Sequence, residues 1–252
     1  MKMMRQRIRR RLGWYKSRFQ VNNPVVGRAV ELLGNRVRMD GLTYSVDCPY
    51  IGTGHKSTLA FGLHEIEERA LARRWLPRDV PVIEIGGGLG VVSCLINRKL
   101  QWSRDHVVVE ANPVMARILE LNRDLNGCGF QVINKALAYD CDAIDLNLDR
   151  EFVGSSTFGS AGSTVRLPAT TISEILGHAG FEYCGIVCDI EGAEADLIQR
   201  ELPHLRDRIR FFMAEMHPAI LGAEAVNRLE REIESLGFRL FEKDGDSVFY
   251  GR

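Results

Sequence analysis

From Val82 onward, short runs of apolar, mostly β-branched residues alternate with longer segments whose apolar positions recur every three or four residues. The short runs read as buried strands and the longer segments as helices packed on them, which predicts a parallel sheet covered on both faces. Strands are predicted over Val82–Gly86, His106–Glu110, Gln131–Ala136, Gly185–Ile190 and Arg210–Met216. Helices are predicted over Val91–Leu100, Pro113–Asn126, Thr171–His178, Ala193–Glu201 and Ala223–Leu236. The last sixteen residues, GFRLFEKDGDSVFYGR, divide around Asp244-Gly245 into the two strands of an antiparallel hairpin.

The pattern is less regular before Val82. VVGRAVELLG predicts a short helix, NRVRMDGLTYSV a hairpin about Asp40-Gly41, and HEIEERALARRWL an exposed helix over His64–Leu76. Cys48–Leu63 is rich in Gly, Thr and Ser and reads as a loop. Between Tyr139 and Thr170 the pattern breaks into short alternating runs, AIDLNL and TVRLPA, flanking a Gly/Ser-rich piece, EFVGSSTFGSAGS, and the whole reads as an irregular insertion suited to function. The expected organisation is a basic leader at 1–22, an extension of helix, hairpin and helix at 23–80, and a main domain at 81–252 carrying the insertion at 139–170.

Thirty-three basic and 33 acidic residues give the 252-residue chain zero formal net charge, so no global field recruits nucleic acid, and none is expected as a partner. The charge is unevenly placed, however. Met1–Gln20 holds Lys2, Arg5, Arg7, Arg9, Arg10, Arg11, Lys16 and Arg18 and no acid, with Met3, Met4, Ile8, Leu12, Trp14 and Phe19 between them. Such a leader can lie on an anionic membrane surface or pack as a helix on its own domain. No apolar stretch follows it as in a secretory signal, so a cytoplasmic location, at the membrane surface if the leader binds there, is the expectation. The six cysteines form no C-x-x-C pair or zinc spacing, as befits reduced thiols.

The chemistry concentrates in two stretches, VIEIGGGLG at Val82–Gly90 and VVVEANP at Val107–Pro113. A strand, a glycine turn and a helix form the first unit of a doubly wound sheet, where the backbone must bend sharply and let a ligand come close. Gly86, Gly88 and Gly90 follow an E-x-G-x-G-x-G pattern and miss the one-three-six spacing of a dinucleotide fingerprint, because Val91 occupies the sixth position. No Gly-Lys-Ser/Thr follows, which excludes a phosphate-binding P-loop. With Glu84 before the turn and no Lys or Arg in it, the turn suits a cation. The ammonium and sulfonium of S-adenosylmethionine meet that requirement, and Glu110 stands where a carboxylate accepts both ribose hydroxyls.

Other candidates lie at the carboxyl ends of the later strands, where open α/β sheets bind ligands. CDIEGAE at Cys188–Glu194 crowds Asp189, Glu191 and Glu194 around a glycine, and AEMHP at Ala214–Pro218 sets His217 beside Glu215. A dipole-favoured charge at a helix start is an equal reading for Glu194.

Taken together, GLHE at Gly62–Glu65, EIGGGLG at Glu84–Gly90, VEANP at Val109–Pro113, NKALA at Asn134–Ala138, CDIEGAE and EMHP resemble the FkbM family of S-adenosylmethionine-dependent methyltransferases. The resemblance covers about residues 60 to 220, with D-x-E-G-x-E its most distinctive element. It departs from the family at Glu84, usually Asp, at Gly87-Gly88, usually Ala-Asn, and at Ala111, usually Pro. The resemblance implies a Rossmann-like class I methyltransferase fold, with a seven-stranded, mostly parallel sheet and a C-terminal antiparallel hairpin. It also implies O-methylation of a hydroxyl, most often on a sugar in a glycan, glycosylated lipid or natural product. Cofactor-binding residues are then Glu65, Glu84, Gly86, Gly88, Gly90, Glu110, Asn112, Ala136 and Asp189, and catalytic residues Asp189, Glu191 and His217. A divalent ion on Asp189, Glu191, Glu215 and His217, magnesium or calcium by ligand type, is the alternative way to activate the hydroxyl. A different class of function, a non-catalytic cofactor-binding module with a partner-binding leader, stands as the competing expectation.

Overall fold

The computed structural model describes residues 22–148 and 163–252. The Met1–Gln20 leader and its expected membrane contact lie outside the described residues, as does the Gly/Ser-rich centre of the insertion. Among the described residues, no helix is long and apolar enough to cross a membrane.

The main sheet is built from β3 (Val82–Ile85), β4 (His106–Val109), β5 (Gln131–Ile133), β9 (Cys184–Cys188), β10 (Ile209–Glu215), β11 (Arg239–Asp244) and β12 (Ser247–Gly251). Its order is β11-β12-β10-β9-β3-β4-β5, parallel from β10 to β5, with β12 antiparallel to both β10 and β11. This is the expected Rossmann-like class I methyltransferase sheet, closed by the C-terminal hairpin. The chain winds outward from β3 through β4 to β5 and then returns to the other side of β3 as β9. The reversal falls between β3 and β9, and the helices that follow these two strands pack on opposite faces of the sheet, which leaves a crevice over their carboxyl ends.

Strand alternation sends the sheet's apolar side chains to two faces. Ile83, Ile85, Val107, Ile186, Phe212 and Tyr250 bury against α6 (Ile172–Ala179), the helical stretch 194–205 and α10 (Ala223–Ser235). That stretch is continuous: α7 (Glu194–Asp196), one wide π turn at Leu197–Glu201, then α8 (Leu202–Leu205). Val82, Val187, Phe211, Met213 and Phe249 bury on the other face against α3 (Ile66–Trp75) and α4 (Val91–Lys99). Val108 packs with Met115 and Leu119 of α5 (Pro113–Leu125). That second face is completed by α1 (Pro24–Leu32) and the hairpin of β1 (Arg36–Met39) and β2 (Leu42–Ser45), which turns at Asp40-Gly41 as the sequence predicts, both with positive φ.

Two expectations are corrected. The Cys48–Leu63 segment contains a helix, α2 (Thr53–Ala60), whose composition carries almost no amphipathic signal. Tertiary contact makes it: a Cβ on Gly27 of α1 would lie 1.8 Å from the Thr53 carbonyl oxygen, so only glycine lets the two helices approach this closely. The insertion is also more regular than expected. β6 (Ala136–Leu137), β7 (Ala143–Leu148) and β8 (Ser163–Thr170) form a small separate sheet, with β7 and β8 antiparallel from Ala143–Pro168 to Leu148–Ser163.

The last positional element, the short α9 (Pro218–Leu221), follows β10 directly.

Candidate active site

A cavity of about 1060 Å³ opens over the carboxyl ends of β3, β4, β9 and β10. Gly86 and Gly88 form part of its floor, Glu110 and Asn112 one end, and Asp189, Glu191, Glu215 and His217 the other. Glu65 and Ala136 also line it, so most of the sequence-predicted site residues converge there. The walls include His55 from α2, Ile144 and Leu146 from β7, and Ile220 and Leu221 from α9. Among the described residues, Lys135 is its one Lys or Arg.

The glycine turn is shaped by close backbone approach. Gly86 has φ +89°, its N–H donates to the Val109 carbonyl at 2.9 Å, and a Cβ there would stand 1.8 Å from the Asp189 carbonyl oxygen. Asp189 in turn donates its N–H to the Ile85 carbonyl at 2.9 Å, so the ends of β3 and β9 are locked side by side. Glu110 draws the turn toward β4: one carboxylate oxygen accepts the Gly88 N–H and the other the Asn112 N–H, both at 2.7 Å. Burial pushes the Glu110 carboxyl up, and these two N–H groups oppose the shift. A carboxylate has about four acceptor positions, so capacity remains toward the cavity. Asn112 caps α5, accepting from Val114 at 2.9 Å and Met115 at 3.3 Å.

Two cofactor-binding expectations do not match this geometry. Glu84 is 2% exposed, and its carboxylate is engaged by Ser93 Oγ at 2.7 Å and His106 Nε2 at 3.0 Å. It touches only a neighbouring pocket of about 20 Å³ and not the main cavity, because strand alternation turns it beneath the glycine turn. Gly90 likewise faces away, under α5: a Cβ there would meet Leu119 Cδ1 at 2.7 Å, so this glycine serves packing.

At the opposite end, His217 organises the acids. Its side chain is 10% exposed, and Nδ1 lies 3.0 Å from a carboxylate oxygen of the wholly buried Glu194. Nε2 points at three further carboxylates: Asp189 Oδ1 and Glu191 Oε2 at 3.4 Å, and Glu215 Oε2 at 3.9 Å. Glu194 is held in turn by the N–H groups of Ile190 at 2.9 Å and Gly192 at 2.8 Å. It is thus a positioning residue for His217, which the sequence reading left balanced with a helix-start charge. Its D-x-E-G-x-E setting was the available signal. Glu68, which accepts the Ser247 hydroxyl, adds another buried acid that the sequence reading missed. One turn of α3 places it on the Glu65 face, a helical spacing legible in HEIEE once the helix is set against the cavity.

This crowding shows in the electrostatics. Burial, then the charges of Glu215 and Glu65, raise the Asp189 carboxyl well above the usual range, with His217 opposing. The Asp189 side chain keeps 32% exposure where it lines the cavity, although its Oδ1 is enclosed. Burial and then Glu68 push Glu215 up to about 7. Burial disfavours a charged His217, yet Glu194, Asp189 and Glu191 together outweigh it and raise the imidazole to about 9. Glu65 runs the other way: burial raises it, but the His64 charge and hydrogen bond, with Arg69 and His55, bring it below its ordinary value.

Three residues of the cavity wall, Glu65, Glu191 and His217, have φ of 49°, 52° and 43°. Each left-handed non-glycine costs about 1–3 kcal/mol and persists only where its surroundings impose it, a form of strain that clusters at functional sites.

The fold is that of a class I methyltransferase-like α/β domain, with its large cavity at the sheet's point of reversal. No protein-family model and no curated protein matches the chain. Among solved structures it is similar to M. jannaschii TYW2 in complex with AdoMet, at 12% identity over 86% of this chain and 85% of that one, with a TM-score of 0.46. It is also similar to Geobacter metallireducens GS-15 precorrin-6y C5,15-methyltransferase, at 11% identity over 72% and 84%, TM-score 0.45. A third is Aeropyrum pernix fibrillarin with natively bound S-adenosyl-L-methionine, at 12% identity over 73% and 72%, TM-score 0.44. Likeness this distant assigns neither a reaction nor a residue's role.

Proposed function

We propose that this chain binds S-adenosylmethionine and transfers its methyl group to a hydroxyl, on a sugar of a glycan, glycosylated lipid or natural product. The carrying observation is the polarity of the large cavity: a glycine turn and Glu110 at one end, clustered acids at the other, and Lys135 as the one Lys or Arg among the described residues of the lining. Such a lining disfavours a pyrophosphate and favours a cofactor bearing an ammonium and a sulfonium. The FkbM-like motifs support the same cofactor and the choice of a hydroxyl acceptor. In this reading Glu110 receives the ribose, Gly86 and Gly88 let the cofactor approach the backbone, and Asn112 and Ala136 bound the adenosine end. Glu65 and Asp189 face the methionine end.

Methyl transfer is an in-line displacement in which an oxygen–carbon bond forms as the sulfur–carbon bond breaks. Alignment of oxygen, carbon and sulfur lowers the barrier, and a base that takes the hydroxyl proton contributes roughly a hundred- to ten-thousand-fold. Asp189, Glu191 and His217 form the catalytic group; the imidazole, raised to about 9, is already charged at neutral pH, so one of the two carboxylates accepts this proton, with Glu194 holding the imidazole.

The test is thermal unfolding with S-adenosylhomocysteine, followed by methyl transfer to pooled cell-envelope glycans. The wild-type chain is expected to be stabilised, and Glu110→Ala to lose that stabilisation while folding normally. Absence of any shift with saturating ligand refutes the reading.

A further inference from the structure

We propose that the acidic end of the cavity is a binding site for one divalent transition-metal ion, with Asp189, Glu215 and His217 as its protein ligands. One ligand atom from each of the three lies within 4.8 Å of the others. Two atoms bound at about 2.1 Å to one ion stand about 3.0 Å apart at a right angle, about 3.4 Å at the tetrahedral angle and about 4.2 Å when opposite. The distances from His217 Nε2, 3.4 Å to Asp189 Oδ1 and 3.9 Å to Glu215 Oε2, fall in that range.

The orientation of the imidazole supports the same conclusion. Glu194 is wholly buried and already fixed by two backbone N–H groups, so its carboxylate acts only as an acceptor. With an ion bound, it would keep the imidazole's one remaining proton on Nδ1 and turn the Nε2 lone pair toward the ion, the carboxylate–histidine arrangement found behind metal-bound imidazoles. Nε2 faces the middle of the group, equally far from Asp189 and Glu191.

A second observation comes from Asp189, whose Oδ1 is enclosed and receives no hydrogen bond, His217 Nε2 standing off at 3.4 Å. Such an oxygen inside a carboxylate cluster is costly unless a positive partner meets it. One imidazole nitrogen with carboxylate oxygens suits Mn²⁺, Fe²⁺ or Zn²⁺ better than an all-oxygen site would.

The ion's use rests on the methyl-transfer reading: the acceptor hydroxyl would bind it and acidify, and Glu191, beside the ion but outside the ligand trio, would receive the proton. Metal binding itself stands apart from that reaction.

The test uses the full chain, freed of metal with a chelator and titrated with Mn²⁺ alone, free Mn²⁺ being followed by electron paramagnetic resonance. Circular dichroism and S-adenosylhomocysteine binding are measured in parallel. One Mn²⁺ per folded chain is expected, with binding lost in Glu215→Gln and weakened about 10- to 100-fold in Glu194→Gln, which removes only the group behind the imidazole. A folded wild-type chain that binds no Mn²⁺, or Glu215→Gln binding as tightly as wild type, overturns the proposal. Mn²⁺ bound one to one without any S-adenosylhomocysteine binding supports the metal site and refutes the methyl-transfer reading.

Discussion

Gly86→Ala is expected to be among the most damaging single-methyl changes in this protein. Gly86 has φ +89°, and the added Cβ would sit 1.8 Å from the Asp189 carbonyl oxygen and 2.9 Å from its carbonyl carbon. An ordinary carbon–oxygen contact is about 3.3 Å, so the ends of β3 and β9 must part by roughly 1.5 Å. Left-handed backbone at alanine costs about 1 kcal/mol. Overpacking adds about 1–3 kcal/mol, and stretching the Asp189 N–H bond to Ile85 about 1 kcal/mol more. A loss of about 3–5 kcal/mol in a chain of this size lowers Tm by roughly 6–20 °C. Gly180→Ala is the control, since Gly180 ends α6 at φ +68° with nothing within 4 Å of a new Cβ, leaving only the backbone cost of about 1 kcal/mol. Calorimetry and urea unfolding of both variants separate the two contributions. Because Asp189 must move, Gly86→Ala should also lose S-adenosylhomocysteine binding where Gly180→Ala keeps it. Equal Tm shifts in the two variants would refute the close approach that places Asp189 at the cavity.

Two further outcomes are expected. Buried Asn122 accepts from Ser45 N–H at 2.7 Å and donates to the Ser45 carbonyl at 3.1 Å and the Leu89 carbonyl at 2.9 Å. It thereby ties the β1–β2 hairpin to the glycine turn, and Asn122→Leu, which strands three buried backbone groups, should cost about 3 kcal/mol or more by urea unfolding; a loss under about 1 kcal/mol would contradict the knot. His55 is pushed down to about 4, first by burial and then by the His64 charge. Its folded pKa lies below the unfolded value of about 6.5, so its contribution to stability is complete above that value and falls as pH drops toward about 4. By pH 4.5 the loss should reach about 2–3 kcal/mol, and His55→Phe should be spared it; equal acid sensitivity of the two proteins would show that His55 does not report burial.

The alternation of apolar runs was enough to place β3, β4, β9, β10 and the C-terminal hairpin, because buried strands and packed helices leave different periods in the chain. The same residues carried the glycine turn and Glu110. The sequence was less informative wherever stability comes from another part of the molecule. α2 has no amphipathic pattern of its own and forms where Gly27 admits it, and the alternating runs of β7 and β8 carry no local sign that they pair with each other across the insertion.

The sequence by itself also determined which residue types the site has to work with: glycines at one strand end and acids at two others. Tertiary structure alone decided their use. It turned Glu84 inward to Ser93 and His106, set Gly90 beneath Leu119, and converted Glu194 from a charge at a helix start into the support of His217. The reason is directional. Sequence spacing reports on which strand end a side chain arises, whereas its distance to partners from other strands depends on sheet order, twist and backbone conformations such as the left-handed His217, which have no local code.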